Sequence, residues 1–323
     1  MATVASESSE GVGVRLDVES FDEPLATRLA RRSARVEADA GTDADADVGT
    51  DASTGAVRLY WLGQAGFVID SGPLRMLVDP YLSDTLAHKY RGTHYPHTRM
   101  MGAPLAPRDL DRLDLVLCTH RHTDHMDPGT LQPLAERFPA LRFVVPAATI
   151  DEAIARCGVG IDRLVAVNAG ECVEVIDGCV VSPIASAHET LDCDAQGRYP
   201  WLGYVIETGG VRIYHSGDGI PYPALAEAVA ARRPDIALLP VNGRDAARSG
   251  NGVPGNFTLD EAVSLARDAR VPNMIAHHYG LFDFNTVEPE IIDDRIAAER
   301  GALHLYRAQT QVAWRAVRAG ASR

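Results

Sequence analysis

Three histidines and an aspartate fall within six consecutive positions, directly after an apolar run that ends at Cys118. Neutral imidazole nitrogens and carboxylate oxygens are the ligands that Zn²⁺, Mn²⁺ and Fe²⁺ bind in proteins. A tight turn at a strand end lets alternate side chains converge on one point while the next pair reaches a neighbouring point. A solvated polar loop is the alternative, and it seldom carries so dense a pattern. The segment therefore predicts a metal site with the local ligands His120, His122, Asp124 and His125.

Three further ligand candidates each follow a strand-like stretch. His188 comes just after a β-rich segment, Asp218 lies in a Ser-Gly-Asp-Gly turn, and His278 is the second of two histidines that end an apolar run. Loops at strand ends are where a rigid scaffold can hold reactive groups together. Taken alone, each histidine would more often be a core residue than a ligand, and His277 stays open as the alternative to His278. Only the ordered set favours ligation.

This ordered set is similar to that of the metallo-β-lactamase superfamily, and the resemblance extends over roughly residues 57–317. Within the superfamily the chain looks most like the L-ascorbate-6-phosphate lactonase branch, through stretches such as 61–67, 239–245 and 278–282. The resemblance implies an α/β fold, a four-layer αββα sandwich in which two mixed β-sheets pack face to face with helices outside. It also implies a first metal on His120, His122 and His188 and a second on Asp124, His125 and His278, with Asp218 between them.

The resemblance thus implies two divalent metal ions as cofactors. Nitrogen and oxygen ligands suit Mn²⁺ or Zn²⁺ and also Fe²⁺, and the resemblance to the lactonase branch favours Mn²⁺. A divalent ion with an open position lowers the pKa of bound water from about 15.7 toward 7. The expected nucleophile is therefore a metal-bound hydroxide, and Asp124 is the expected catalytic carboxylate that passes a proton to the leaving group.

Arg244 is the second residue expected to act in catalysis, through substrate binding. It follows an apolar strand-like run, which would place it at the edge that holds the metals. A guanidinium there can clamp a carboxylate or phosphate through two hydrogen bonds. A structural ion pair with Asp245 or another acid is the alternative. The irregular stretch 91–107 is interpreted as a solvated loop, with a substrate rim as the alternative.

The predicted function is a metal-dependent, lactonase-like hydrolase that acts on a small anionic cyclic ester or phosphoester. A phosphodiesterase or an amide hydrolase on the same site is the alternative. From another class, a di-iron redox protein could use the same ligands, because superfamily members that hold iron handle oxygen or nitric oxide. A non-catalytic binding protein is a third hypothesis, and loss of ligands would indicate it. No ligand of the family pattern is missing here.

Charge and hydropathy limit the classes of partner that we expect for this chain. The net charge is −13, and Lys89 is the only lysine among 31 basic residues. An acidic body without a basic stripe repels phosphodiester backbones, so nucleic acid is not an expected partner. No apolar run approaches the roughly 20 residues that span a bilayer, and no signal-like segment is visible, which predicts a cytoplasmic protein without a membrane partner. The expected partner is a small-molecule substrate, and a homo-oligomer is compatible with the sequence.

The composition changes at about residue 56. Residues 1–56 hold twelve acids against five arginines and are interpreted as an acidic N-terminal extension with a low-complexity linker. A sparse apolar face that includes Leu25 and Leu29 predicts an amphipathic helix within it. Residues 57–323 are predicted to form the metallo-β-lactamase-like hydrolase domain. Deletion of most of the extension is expected to leave the metal site intact.

Overall fold

Two β-sheets form the centre of the computed structural model, which describes residues 13–40 and 56–318. The strands of the first sheet are β1 (Val14–Ser20), β2 (Val57–Gly63), β3 (Gly66–Ser71), β4 (Leu74–Val78), β5 (Leu115–Leu117), β6 (Arg142–Pro146), β7 (Leu164–Val167) and β15 (Val312–Arg318). Those of the second are β8 (Val173–Ile176), β9 (Cys179–Ala185), β10 (Leu202–Thr208), β11 (Val211–His215), β12 (Ile236–Pro240), β13 (Asn273–His277) and β14 (His304–Arg307).

The α-helices of the described residues lie between these strands in the chain. They are α1 (Leu25–Ala40), α2 (Thr85–Lys89), α3 (Pro128–Arg137), α4 (Ile150–Cys157), α5 (Leu225–Arg232), α6 (Ala246–Gly250), α7 (Leu259–Asp268) and α8 (Pro289–Ala298). None of them is both long enough and apolar enough to cross a membrane.

Both sheets are mixed. The first has the strand order β1-β15-β2-β3-β4-β5-β6-β7, with parallel pairing from β4 to β7 and antiparallel pairing elsewhere. The second has the order β14-β13-β12-β11-β10-β9-β8, with parallel pairing from β11 to β14 and antiparallel pairing elsewhere. Because neighbouring parallel strands end at the same edge of a sheet, the loops that follow them lie side by side.

Alternate residues of a strand enter two different apolar layers. In β2, Leu59 and Trp61 belong to a core shared with second-sheet residues such as Tyr204. The intervening Tyr60 and Leu62 pack with residues of α1, α3 and α4 on the other face. Strands covered on both faces bury every residue, and all seven residues of β2 are buried. With α5 and α7 against the second sheet, this confirms the predicted sandwich of two sheets between helices.

The N-terminal residues belong to the first sheet. The strand β1 pairs antiparallel with β15 along its whole length, Val14–Ser20. The helix α1 forms where predicted and buries Leu25 and Leu29 in the outer layer of that sheet. The predicted division at residue 56 is therefore wrong for the described part of this segment, because strand pairing and apolar burial join it to the domain. Residues 41–55, which hold most of the predicted linker, lie outside the described residues.

Candidate metal centre

Seven histidine and aspartate side chains meet where β5, β9, β11 and β13 end. They form two groups, and within each group the candidate ligand atoms lie within 4.8 Å of one another. The structure thus brings together every metal-ligand candidate named from the sequence. The first group consists of His120, His122, His188 and Asp218, and the second of Asp124, His125 and His278.

Asp218 belongs to the first group and lies on the side that faces the second. Its Oδ1 is 3.3 Å from Nε2 of His125 and 3.2 Å from Nε2 of His278, both in the second group. Its Oδ2 is 4.0 Å from Nε2 of His188, in the first group. One carboxylate therefore directs an oxygen toward each group, as a ligand shared by two neighbouring cations would.

Several buried atoms of these groups have no hydrogen-bond partner among the described residues. Buried polar atoms in folded proteins are normally hydrogen-bonded, because an unpaired one costs free energy. A convergent set of unpaired imidazole nitrogens and a carboxylate oxygen fits divalent cations, which these donors bind. The atoms are Nε2 of His120, His125, His188 and His278, Nδ1 of His188 and His278, and Oδ1 of Asp218.

Burial keeps the histidines of the first group in the neutral form that binds metals. It lowers the pKa of His120 and of His122, and it lowers the pKa of His188 to about 4. Burial opposes ionisation of Asp218, but the adjacent His125 and His278 more than offset it and hold the pKa of Asp218 well below its ordinary value. At neutral pH the first group therefore offers neutral imidazoles and a carboxylate, as metal binding requires.

Asp79, which directly follows β4, orients a histidine of the second group. Its Oδ2 lies 2.7 Å from Nδ1 of His125 and accepts a 2.6 Å hydrogen bond from the Thr119 hydroxyl. Its Oδ1 accepts the Thr119 backbone N–H at 2.7 Å. Burial opposes protonation of His125, but Asp218, Asp79 and Asp124 more than offset it and raise its pKa. A metal ion would displace the proton on Nε2, while Asp79 keeps the other proton on Nδ1 and so directs Nε2 toward the ion. Sequence reasoning missed Asp79, although an acid directly after an apolar strand was an available signal.

Gln64 contacts two members of the second group. Its side-chain Nε2 donates a 2.9 Å hydrogen bond to Oδ2 of Asp124, and its backbone carbonyl oxygen accepts the backbone N–H of His278 at 3.0 Å. The side chain is fully buried, and the φ angles of Gln64 and His278 are 50° and 64°. Residues other than glycine rarely adopt this left-handed region, and it persists where surrounding contacts determine it. The contact between Gln64 and Asp124 was not predicted from the sequence.

The turn that presents Asp218 requires the preceding glycine. Gly217 has a φ of 60°, and a Cβ there would lie 2.8 Å from the Leu202 carbonyl oxygen and 2.8 Å from the Thr119 side chain. On the other side, the Ser186 hydroxyl donates a 2.7 Å hydrogen bond to the Asp218 carbonyl. These contacts fix the position from which the Asp218 carboxylate reaches both groups.

The adjacent histidines 277 and 278 have different surroundings. His277 ends β13, and its ring packs against Phe67 and His215, with centroid distances of 5.3 and 5.1 Å. His215 in turn lies 2.8 Å from the Ala65 carbonyl through Nε2. Of the two, only His278 belongs to a candidate ligand group, as the sequence comparison with the family favoured.

A cavity of about 600 Å³ opens onto the two groups. It is lined by members of both groups, by the loop residues 251–254, and by part of the irregular stretch 91–107. That stretch was expected to be a solvated loop, and the alternative of a rim around the site describes it better. Three cationic side chains also line the cavity: Lys89, Arg121 and Arg156.

Arg244 is not among the described residues that line this cavity. Its Nη1 and Nη2 donate hydrogen bonds of 2.6 and 2.7 Å to the carboxylate of Glu261, and Nη1 also donates to the Asn256 carbonyl. Glu261 is the third residue of α7, where it forms a reciprocal cap with Thr258. The structure contradicts the expectation that Arg244 clamps the substrate and shows the alternative, a structural ion pair.

The chain is similar to known proteins both in sequence and in structure. A family profile described as the beta-lactamase superfamily domain matches residues 74–279. A UPF0173 metal-dependent hydrolase from Thermoplasma acidophilum is 30% identical over 241 residues, which cover 72% of this chain and 88% of the relative. An isothiocyanate hydrolase from Delia radicum gut bacteria has a similar structure, with a TM-score of 0.63, 16% identity and coverage of 79% of this chain and 97% of that one.

A fold neighbour of another activity is CmlA, named as a diiron beta-hydroxylase from Streptomyces venezuelae. It is 18% identical, with a TM-score of 0.58 and coverage of 81% of this chain and 54% of that one. At such identities, a structural likeness shows a shared fold alone.

Proposed function

This chain belongs to the metallo-β-lactamase superfamily as a metal-dependent hydrolase, and from that premise we propose that it acts on a small anionic lactone or phosphoester. The observation that carries the proposal is the position of Asp218, whose two oxygens reach toward separate groups of buried imidazoles. This arrangement suits two divalent ions that share one carboxylate. The groups also open onto a cavity of a size that suits a small molecule.

The proposed ligands fit the chemistry of Mn²⁺, Zn²⁺ and Fe²⁺, and the resemblance to the lactonase branch favours Mn²⁺. Bound divalent ions supply Lewis acidity and lower the pKa of coordinated water from about 15.7 toward 7. One ion would be held by His120, His122 and His188, the other by Asp124, His125 and His278, with Asp218 shared.

Asp124 is the proposed proton carrier. Its side chain is 17% exposed and lines the cavity, while the hydrogen bond from Gln64 fixes one of its oxygens. Hydrolysis adds water across the ester: its oxygen bonds to the carbonyl carbon or phosphorus, the bond to the leaving oxygen breaks, and that oxygen gains a proton. A carboxylate held at this position can take the proton from water and deliver it to the leaving oxygen. Gln64 and Asp79 act as positioning residues, through Asp124 and His125.

The charges around the cavity favour an anionic substrate. Lys89, Arg121 and Arg156 line it together with three acids, Asp124, Glu152 and Asp218, and the chain as a whole carries −13. Divalent ions held by Asp124 and Asp218 would leave the cavity with a net positive charge that attracts small anions, while the overall charge repels large polyanions such as nucleic acids. The proposed partner is therefore a small molecule. A cytoplasmic location is part of the proposal and rests on the sequence alone.

A di-iron redox function is the second candidate. CmlA, named as a diiron beta-hydroxylase, shares the fold with a TM-score of 0.58, and imidazole and carboxylate ligands also suit iron. A phosphodiesterase or amide hydrolase would use the same residues as a lactonase and differs only in the bond that is broken.

A substrate panel tests the proposal. Protein is freed of metal by chelation, reloaded with Mn²⁺, Zn²⁺ or Fe²⁺, and assayed with lactones, chromogenic phosphoesters and anilides in anionic and neutral forms. We expect hydrolysis of at least one anionic lactone or phosphoester, which stops on chelation and returns on reloading. Faster cleavage of anilides would favour the amide hydrolase. Dioxygen uptake by the Fe²⁺ form without hydrolysis of any ester would contradict the proposal and support the redox candidate.

Arg244→Ala is expected to lower the free energy of unfolding by less than about 1 kcal/mol and to leave kcat/KM within about a factor of two, because exposed ion pairs contribute little in water. The Arg244 side chain is 36% exposed and is already paired with Glu261. Denaturant unfolding and steady-state kinetics measure the two quantities. A loss of catalytic efficiency confined to anionic substrates would instead support the sequence-based expectation that Arg244 binds the substrate.

A further inference from the structure

Five rings form what we call the aromatic wall of the cavity. Tyr90 stacks on His97 with centroids 4.4 Å apart and an interplanar angle of 23°, and Tyr95 stacks on Phe284 at 4.4 Å and 24°. His97 also meets Phe282 and Phe284 edge to face, at 5.1 and 4.7 Å. All of these side chains except Phe284 line the cavity.

The aromatic wall is only partly enclosed. Phe282 is buried, whereas Tyr90, Tyr95 and His97 are half-buried. The half-buried rings leave part of their surface exposed in the cavity, and a flat aromatic group can pack against them edge to face or in an offset stack.

Lys89 ends α2 beside the aromatic wall and is the only lysine in the chain. Its ammonium lies 4.9 Å from the centre of the Tyr90 ring, and the side chain lines the same cavity. The other two cations of the cavity are already engaged: Arg121 lies 3.0 Å from Glu152, and Arg156 donates to a backbone carbonyl. Within the described parts of the chain, no acidic side chain pairs with Lys89, so its charge is available to a ligand.

We propose that the aromatic wall and Lys89 form the recognition site for a flat ring that carries a carboxylate or a phosphate. The ring packs against the exposed sides of Tyr90, Tyr95 and His97, and the ammonium of Lys89 pairs with the anionic group. Because Asp124 and Asp218 line the same cavity, a ligand held in this way presents its ester bond to the two ligand groups. The ester bond is taken from the proposed function, whereas recognition of the ring and the anion requires no turnover.

Acetylation of the single lysine tests recognition directly. Zn²⁺-loaded protein is acetylated in the presence of phenyl phosphate, benzoate, cyclohexanecarboxylate or benzyl alcohol, and mass spectrometry follows the peptide that contains Lys89. We expect phenyl phosphate or benzoate to slow acetylation severalfold, and the better protector identifies the anionic group. Cyclohexanecarboxylate is charged but not flat, and benzyl alcohol is flat but neutral, so both should protect little. Equal acetylation rates with all four probes would overturn the proposal.

Variants separate recognition from a structural role. Lys89→Gln is expected to raise the Kd of the better probe, measured by calorimetry, about ten- to a hundredfold through loss of a charge-assisted hydrogen bond. Lys89→Arg should restore part of the affinity, and Tyr90→Leu should reduce the preference for benzoate over cyclohexanecarboxylate. Arg91→Gln is the matched control, because Arg91 is an exposed cation two residues away that lies outside the lining of this cavity. Metal content and unfolding midpoint should be equal in all four variants.

These experiments distinguish a failure of this inference from a failure of the proposed function. Binding that depends on Lys89, in a protein that hydrolyses no ester of the panel, would support this inference and remove the proposed function. Hydrolysis of an anionic ester with Kd and kcat/KM unchanged in Lys89→Gln would overturn this inference alone.

Discussion

Asp218→Ala is expected to remove at least one of two bound divalent ions and to reduce kcat about a thousandfold or more. The carboxylate of Asp218 is the side chain that reaches both ligand groups. A divalent ion contributes several kcal/mol to transition-state stabilisation, and each loss of about 1.4 kcal/mol lowers a rate tenfold. His122→Ala should remove an ion from the first group and lower kcat in the same direction.

Metal analysis by mass spectrometry and steady-state kinetics check this result on the same preparations. His304→Ala is the matched control, because His304 is an exposed histidine of β14 and belongs to neither ligand group. Full metal content in both Asp218→Ala and His122→Ala would exclude these residues as ligands.

Deletion of residues 1–40 is expected to destabilise the domain severely, with insoluble protein or a loss of more than about 4 kcal/mol in the free energy of unfolding. The deletion removes β1 from β15 and exposes an unpaired sheet edge. It also removes Leu25 and Leu29, and replacing one buried leucine by alanine alone costs about 2–5 kcal/mol.

The deletion also removes polar contacts, which adds to the loss in the free energy of unfolding. The buried Arg75 donates a 2.9 Å hydrogen bond to the Leu29 carbonyl, and Asp70, also buried, lies 2.8 Å from Nε of Arg32. Removing one partner from a buried polar network leaves the other uncompensated, which costs free energy.

Point variants keep the second prediction measurable if the truncated protein does not fold. Leu29→Ala should lower the denaturation midpoint clearly, whereas Arg35→Ala, on the exposed side of the same helix, should shift the free energy of unfolding by less than about 0.5 kcal/mol. A truncated protein with the midpoint and metal content of the full chain would show instead that the extension is dispensable, as the sequence alone had indicated.

The ligand groups were predictable because their signal is local and ordered. Four of the seven candidates lie within six positions, and the other three follow strands whose ends were visible in the hydropathy pattern. Strand alternation also explains why adjacent histidines differ: the side chain of His277 belongs to the buried core of β13, and the left-handed backbone of His278 turns the chain out of the strand.

The residues that orient the ligands were not predictable in the same way. Asp79 meets His125 across 46 positions, and Gln64 meets Asp124 across 60. Such contacts are created by tertiary packing, and a single polar residue after a strand carries no spacing pattern that indicates its partner. For Arg244, the sequence correctly indicated a position after β12 but did not indicate that its partner is Glu261. The reciprocal cap of Thr258 and Glu261 was visible in the sequence as a sign that this glutamate is structurally placed.

The N-terminal strand was missed for a related reason. Residues 14–18 alternate apolar and polar side chains, which is a strand pattern, but the surrounding acidic composition favoured an unpacked extension. Its partner strand β15 begins at Val312, near the other end of the chain. Pairing over so large a sequence separation leaves no trace in local composition.

The metal content of the wild-type chain shows whether the seven side chains form a binuclear metal centre. Protein equilibrated with excess Mn²⁺ or Zn²⁺ and then freed of unbound ions is analysed by inductively coupled plasma mass spectrometry against its molar concentration. We expect a stoichiometry close to two ions per chain, lost on treatment with a strong chelator and recovered on reloading. A chain that holds no more than one ion at saturation would contradict it.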